Sequence, residues 1–320
     1  MMQTSNVLRA KKMGSKASAT LYKVFRLLLL IGLSYIVIYP ILSLFLGSIT
    51  LPEDLMDESR AWLPKNPTFT NYVNSFSYFK FFKHAGITLQ IAGISTLIQL
   101  IVCSLIGYGL ARYSFVGNSF LFGCVVFTII MPIQTALLPM YLDYMQFDFF
   151  GIGQLIGVFT GTPYTVNLTG TKWVYYLPAI FGVGFNSGLF IFLFRQFFKG
   201  MPKDLEDAGK VDGCNPFMIY LRIMVPNTKP VFVTVALLSY IYYWNDTTLS
   251  NIMMMGTNDK PRMLYVKSLM ASAVIRHRDA IRVMAENQAI ALMCVAPLLL
   301  LFIIGQRFFI ESMDRTGIKG

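Results

Sequence analysis

Four carboxylates crowd into Asp204-Leu205-Glu206-Asp207-Ala208-Gly209-Lys210-Val211-Asp212-Gly213. Such a cluster could serve acid–base chemistry, a metal, or a charged docking face. A metal site wants His or Cys at ligand spacing, and acid–base work wants a reacting cluster around one substrate atom. The chain has two histidines, His84 and His277, and four cysteines, Cys103, Cys124, Cys214 and Cys294. None is spaced as a ligand set, and no Ser/His/Asp or paired-carboxylate arrangement stands out. Three of the cysteines lie in apolar runs and read as small buried hydrophobes. Gly209-Lys210 is not a phosphate-binding loop, because the upstream glycine is missing and Val211 follows the lysine. Two readings stay open for the segment: a surface loop that lies on the membrane, or a knob with small residues on its face made to fit a groove in another protein. Pro202 stands at a helix start, where its missing N–H costs nothing. Asp204, Glu206 and Asp207 sit on the favourable side of the helix dipole. Leu205, Ala208 and Gly209 make a small apolar face, and Ala208 and Gly209 permit the close backbone approach of a helix seated in a groove. Gly213 permits a sharp turn. Phe217, Tyr220 and Leu221 form a second apolar stripe, which Pro226 stops.

The elements that position this segment follow from composition. Of 320 residues, 55% are hydrophobic and only 13% charged, against about 25% charged in an ordinary soluble domain. Mean hydropathy is +0.57. No soluble core of this size hides that much apolar surface, so lipid must solvate part of it. Disordered, collagen-like and disulfide-stapled chains and ordinary cytosolic enzymes are excluded. Six apolar runs, 24–48, 87–110, 119–141, 177–197, 230–250 and 287–306, each approach the ~20 residues needed to cross a bilayer as a helix. The expected class is therefore an all-α membrane protein of six transmembrane helices. Prolines at 40, 132, 178 and 297 should kink those helices locally. Arg26, Arg195 and Asp246 sit near run ends, where polar tips reach the interface.

Net charge is +11. Placing the N-terminus inside puts sixteen of the 27 basic residues on the cytoplasmic side. The first segment, 1–26, has six basic residues and no acid, which favours both termini inside. The expected divisions are a basic cytoplasmic segment 1–26, a transmembrane domain 27–308 and a cytoplasmic tail 309–320. Within the domain lie a cytoplasmic coupling loop 198–229 and outer loops 49–86, 142–176 and 250–286. The remaining basic excess gathers outside around 260–282. There Arg276-His277-Arg278 and Arg282 could meet an acidic binding protein or attract an acidic saccharide.

At this point the residues meet a family. Glu206-Asp207-Ala208, then Asp212-Gly213, Phe217, Ile223 and Val225-Pro226, resembles the Glu-Ala-Ala signature of permease subunits of ATP-binding-cassette importers. Asp207 stands where Ala is usual, and Met224-Val225 where the ending is normally x-Leu. The approach from Arg195 through Leu205 is similar to that of carbohydrate permeases. The tail, from Gln306-Arg307 to Gly317-Ile318-Lys319-Gly320, resembles that of the smaller maltose-type permease, a binding-protein-dependent inner membrane component.

The resemblance implies the six-helix fold of type I importers in a bacterial inner membrane. It implies a coupling helix near 203–213 that docks on a cytoplasmic ATPase, with Glu206, Ala208, Asp212 and Gly213 at matching positions and Asp207 beside them. Glu206 would pair with a group on the ATPase, and Gly317, Lys319 and Gly320 would reach toward the ATPase dimer. The implied partners are a second homologous permease, two ATPase subunits that bind the ATP and Mg, an extracellular substrate-binding protein and an oligosaccharide, neutral or acidic. No cofactor is expected in this chain, no nucleic acid as partner, and no enzymatic activity of its own. Met253, Met254, Met255 and Gly256, in the loop after the fifth run, offer a soft contact for the binding protein. Asn186, Ser187, Asn245 and Gln288 are candidates for the substrate path, although such groups more often bond helix to helix.

Two readings compete. An ion-coupled carrier usually keeps a charge inside the membrane, and the cores of all six runs lack one. A membrane-embedded transferase needs a reacting cluster at the membrane ends, which the sequence does not offer. A chain with no motor of its own and a docking knob needs a partner motor.

Overall fold

The computed structural model describes residues 2–56, 63–79, 81–254 and 277–317. Among these the regular elements are helical, with isolated bridges at Thr50–Pro67 and Phe147–Val166. The elements are α1 (Met2–Ser48), α2 (Thr70–Phe79), α3 (Phe81–Arg112), α4 (Asn118–Ile130), α5 (Ile133–Met145), α6 (Ile152–Thr160), α7 (Trp173–Ile180), α8 (Ser187–Gly200), α9 (Asp204–Val211), α10 (Pro216–Asn227), α11 (Lys229–Trp244), α12 (Thr248–Met253) and α13 (His277–Gly317). The chain divides into two compact units, one of residues 1–75 and 270–292 and the other of 76–269 and 293–320.

In the first unit, α1 is apolar all round from Leu27 to Tyr39, and that stretch is exposed. A helix with no polar face needs lipid or another apolar surface around it. Its end is tied down by polar contacts. Asn71 donates to the Ser48 and Thr50 carbonyls at 2.9 and 2.8 Å, and Thr68 N–H donates to the Ile49 carbonyl at 2.7 Å. Asn74 donates to Glu286 at 3.2 Å.

The second unit is built around α3, which packs against α7, α8 and α11. Its core is apolar and rich in aromatics, including Tyr108, Phe190, Phe194, Phe198 and Tyr220. Gly107 brings α3 against the α8 backbone, because a Cβ there would stand 2.7 Å from Phe194 Cβ and 3.0 Å from the Arg195 nitrogen. Small residues at such crossings let helices approach where packing, and not water exclusion, drives association. One buried polar knot joins three elements. Gln99 donates to the Phe185 carbonyl at 2.6 Å and to Ser187 Oγ at 2.8 Å, and its own carbonyl accepts from Ser239 at 2.6 Å. Gln99→Leu strands these groups. A loss of about 1–2 kcal/mol is expected, read as a lower melting temperature of the detergent-solubilised protein.

The spans differ from six simple helices. Among the described residues, Thr20–Ser48, Phe81–Arg112 and Arg282–Gln306 are each long and apolar enough to cross a membrane. Two further candidates are broken pairs: α4 with α5, bent by 102°, and α10 with α11, bent by 81°. The first break falls at Met131-Pro132, where proline interrupts the amide ladder. The run 177–197 does not form one helix. It divides between α7 and α8, with Gly182 and Asn186 in left-handed backbone at φ 70° and 53°. Gln99 supplies the donor that the freed Phe185 carbonyl needs.

Candidate functional site

The carboxylate cluster forms α9, an eight-residue helix. Asp204, Glu206 and Asp207 lie in its first turn and Lys210 in its last, each at the dipole end that favours it. Its C-terminus closes on Gly213, whose φ is 78°. Gly213 N–H donates to the Lys210 carbonyl at 3.0 Å and Cys214 N–H to the Gly209 carbonyl at 2.9 Å. This paired closure is the Schellman motif, and it requires left-handed backbone at the glycine position. Asn215 then caps α10 by accepting from Met218 N–H at 2.8 Å. The backbone in α10 widens into a π turn over Tyr220–Met224. The element runs one residue past Pro226, to Asn227, before the chain bends into α11.

The two faces of α9 are distinct. Gly209 is buried, and a Cβ there would meet Ile223 Cδ1 at 2.6 Å and Ile219 Cγ1 at 3.1 Å. The outer face carries Asp207, Ala208, Val211 and Asp212, all exposed. Val211 is 88% exposed, and Phe217 and Leu221 continue the uncovered apolar surface. Lys210 donates to Asp207 at 2.8 Å. That hydrogen bond, reinforced by charge, holds the Asp207 carboxyl below the usual range. Glu206 faces the other way. Its Oε1 stands 3.1 Å from Arg112 Nε at the end of α3, with both side chains largely buried. Neither atom has an aligned hydrogen-bond partner, so the contact is an ion pair. Arg112 also donates through Nη2 to the Met201 carbonyl at 2.9 Å. Sequence spacing carries no signal for this pairing.

The other candidates are scattered. Met253 and Met254 are buried, and the Met253 carbonyl accepts from Gly170 N–H at 2.7 Å. Met255 and Gly256 lie outside the described residues. Gly317 ends α13, while Lys319 and Gly320 fall outside the description. Gln288 packs its amide against Gly47 in the first unit. Asn245 caps the end of α11. Of the basic cluster at 276–282, Arg282 is paired with Glu286 at 3.0 Å. Arg276 lies outside the described residues, as do the side chains of His277 and Arg278. Asp246 does not reach outward as a polar tip. It accepts from Tyr175 at 2.7 Å and from Leu249 and Ser250 N–H at 3.0 and 2.9 Å, capping α12. Arg195 lies over the Phe122 ring, 3.7 Å from its centroid.

Asn186 and Ser187 line a cavity of about 330 Å³ where the α4–α5 break and the α7–α8 break meet. Tyr175 and Tyr243 share the lining, and none of its residues is ionised at neutral pH. Gly184 leaves room for the Tyr243 hydroxyl, which stands 2.7 Å from where a Cβ would be.

Residues 103–309 match the family model described as binding-protein-dependent transport system inner membrane component. The arabinooligosaccharides transport system permease protein of Bacillus subtilis is 28% identical over 310 residues, covering 94% of this chain and 97% of its own length. Its counterpart from Halalkalibacterium halodurans is 27% identical over 294 residues, covering 90% and 93%. A solved bacterial ABC transporter involved in import of the acidic polysaccharide alginate superposes with a TM-score of 0.73 at 19% identity, over 91% of this chain and 98% of that one.

Proposed function

This chain belongs to the binding-protein-dependent transport system inner membrane components, and from that premise we propose that it is the permease subunit of an ATP-driven oligosaccharide importer. It works with a second homologous permease, two cytoplasmic ATPase subunits that bind ATP and Mg, and an extracellular binding protein that delivers the saccharide. Both termini lie in the cytoplasm, and α9 docks on the ATPase. Nucleotide-driven movement of α9 rocks the bundle between outward-open and inward-open states. The two arabinooligosaccharide relatives, matched over nearly their whole lengths, support the saccharide.

The observation that carries the coupling role is the uncovered outer face of α9. Val211 stands almost fully in the open between Asp207 and Asp212, with the inner face pressed on α10. An exposed apolar residue ringed by charge has the composition of an interface anchor with a polar rim. The helix is held at both ends, so this face is presented in one orientation. Co-expression of the transport components and affinity purification through this chain should recover the ATPase in stoichiometric amount. Val211→Asp is expected to weaken that association by about tenfold, the effect of removing roughly 1.4 kcal/mol. Recovery of this chain with the partner permease but no ATPase would overturn the reading.

The saccharide path is assigned to the uncharged cavity at the two helix breaks. Unwound backbone at membrane depth is tolerated where it is buried or lines a polar passage, and discontinuous helices form the substrate sites of many transporters. Asn186, Ser187 and the Tyr243 hydroxyl suit a neutral, hydroxyl-rich cargo.

A further inference from the structure

Glu206 is the acid that family resemblance would direct at the ATPase, but its carboxylate points into the chain. We propose that Arg112 is a positioning residue, which fastens α9 to the end of α3 through Glu206 so that displacement of the docked helix is delivered to the central helix of the unit. This rests on the coupling role proposed above and assigns the route by which it acts.

Three observations carry it. The first is orientation. Gly209 seats α9 on Ile219 and Ile223, which turns Asp207, Ala208 and Val211 outward and leaves Glu206 at the edge facing Arg112. The second is burial. The Arg112 and Glu206 side chains are 5% and 14% exposed. An ion pair so placed is costly to open, because either partner alone would remain desolvated and uncompensated. The third is that Arg112 grips twice. Its guanidinium meets Glu206 through Nε and the Met201 carbonyl through Nη2, so it holds both the helix and the segment that leads into it. A lysine, with one compact charge, could not reproduce that fork. Arg112 is the last residue of α3, and α3 carries the packing against α7, α8 and α11. A push on α9 therefore reaches the bundle without crossing a flexible loop.

The test reads relative movement directly. Nitroxide labels are attached at Asp204→Cys on α9 and Val116→Cys just beyond α3, after Cys124→Ser and Cys214→Ala remove the accessible native thiols. Distances are measured by electron paramagnetic resonance on the whole complex, nucleotide-free and trapped with ATP and vanadate. In the otherwise unaltered chain the two labels move together, and the distance distribution is the same in both states. With Arg112→Gln or Glu206→Gln, trapping shifts or broadens the distribution by about 5 Å, the scale of one helical turn, while the ATPase still co-purifies. The exchange Arg112→Glu with Glu206→Arg narrows the distribution only in part, because it rebuilds the ion pair while a carboxylate at 112 cannot donate to the Met201 carbonyl. An unchanged distribution in both single variants would overturn the proposal. So would loss of the ATPase from Glu206→Gln but not from Arg112→Gln, since the carboxylate would then face the partner. A parent complex that lacks any ATPase is a different failure, of the importer reading itself, and shows before any variant is made.

Discussion

Gly213→Pro is expected to abolish coupling, while Gly213→Asn leaves it nearly intact. The glycine holds φ at 78° with no atom near its missing Cβ, so the position is constrained by backbone conformation and not by space. Proline locks φ near −65° and has no N–H. It therefore cannot adopt the left-handed turn and cannot donate to the Lys210 carbonyl. The companion bond from Cys214 to Gly209 goes with it. A cost of about 3 kcal/mol corresponds to roughly a hundredfold smaller population of the closed cap. The lost cap frees the end of α9 that presents Val211 and Asp212. Asparagine visits the left-handed region readily and keeps its N–H. Alanine should fall between, with a cost of about 1 kcal/mol. The measurement is ATPase recovery and ATP-dependent saccharide uptake of the reconstituted complex across the three variants. The order proline, alanine, asparagine, from worst to best, identifies the backbone as the cause. Equal loss in all three would point to a contact made by the glycine itself.

The cap was legible in the sequence because its signals are local: acids at the start of a helix and glycine after its end. The all-helical membrane class was legible for a similar reason, since uncharged runs of bilayer length leave few alternatives. What escaped depended on distance along the chain. Arg112 and Glu206 are far apart in sequence, and no spacing rule pairs them. The polar residues near run ends invited an interfacial reading, but Asp246 is consumed as a helix cap by Leu249, Ser250 and Tyr175. The break within 177–197 had a visible signal. Gly182, Gly184 and Asn186 cluster inside an apolar run, and residues that adopt left-handed backbone mark an interruption. Hydrophobicity summed over a window conceals such a break, because the residues that unwind the helix are themselves uncharged. Polar residues within the membrane also divided by context. Gln99 became a strut between helices with Ser187 as one of its partners, whereas Asn186 came to line the cavity.

The second large effect concerns the crossing on which the whole second unit is built. Gly107→Val is expected to destabilise the protein by roughly 3 kcal/mol, the upper part of the range for overpacking, whereas Gly109→Val, two residues away on the same helix, should leave stability almost unchanged. At Gly107 the atoms a side chain would meet are Phe194 Cβ, the Arg195 nitrogen and the Ile191 carbonyl oxygen at 2.7, 3.0 and 3.1 Å. These are backbone or backbone-attached atoms, and they cannot swing aside as a side-chain tip could. Valine would have to push α8 bodily away from α3. That movement would open the contacts of Phe194 and Phe198, both fully buried, in a core that packs too densely to refill the gap. At Gly109 nothing lies within 4 Å of the same atom, so the two substitutions change helix propensity alike and differ only in the crossing. Thermal unfolding of the solubilised protein separates them. A large drop for Gly107→Val alone establishes the α3–α8 crossing as the constraint, and equal drops would show that the crossing is not what makes Gly107 special, since valine is no worse a helix former than glycine. Because Arg112 ends the same helix and Ser187 begins the other, a displaced crossing should disturb both the strut to α9 and the lining of the cavity. The variant is thus expected to lose uptake and binding-protein-stimulated ATP hydrolysis together, even at temperatures where it remains folded.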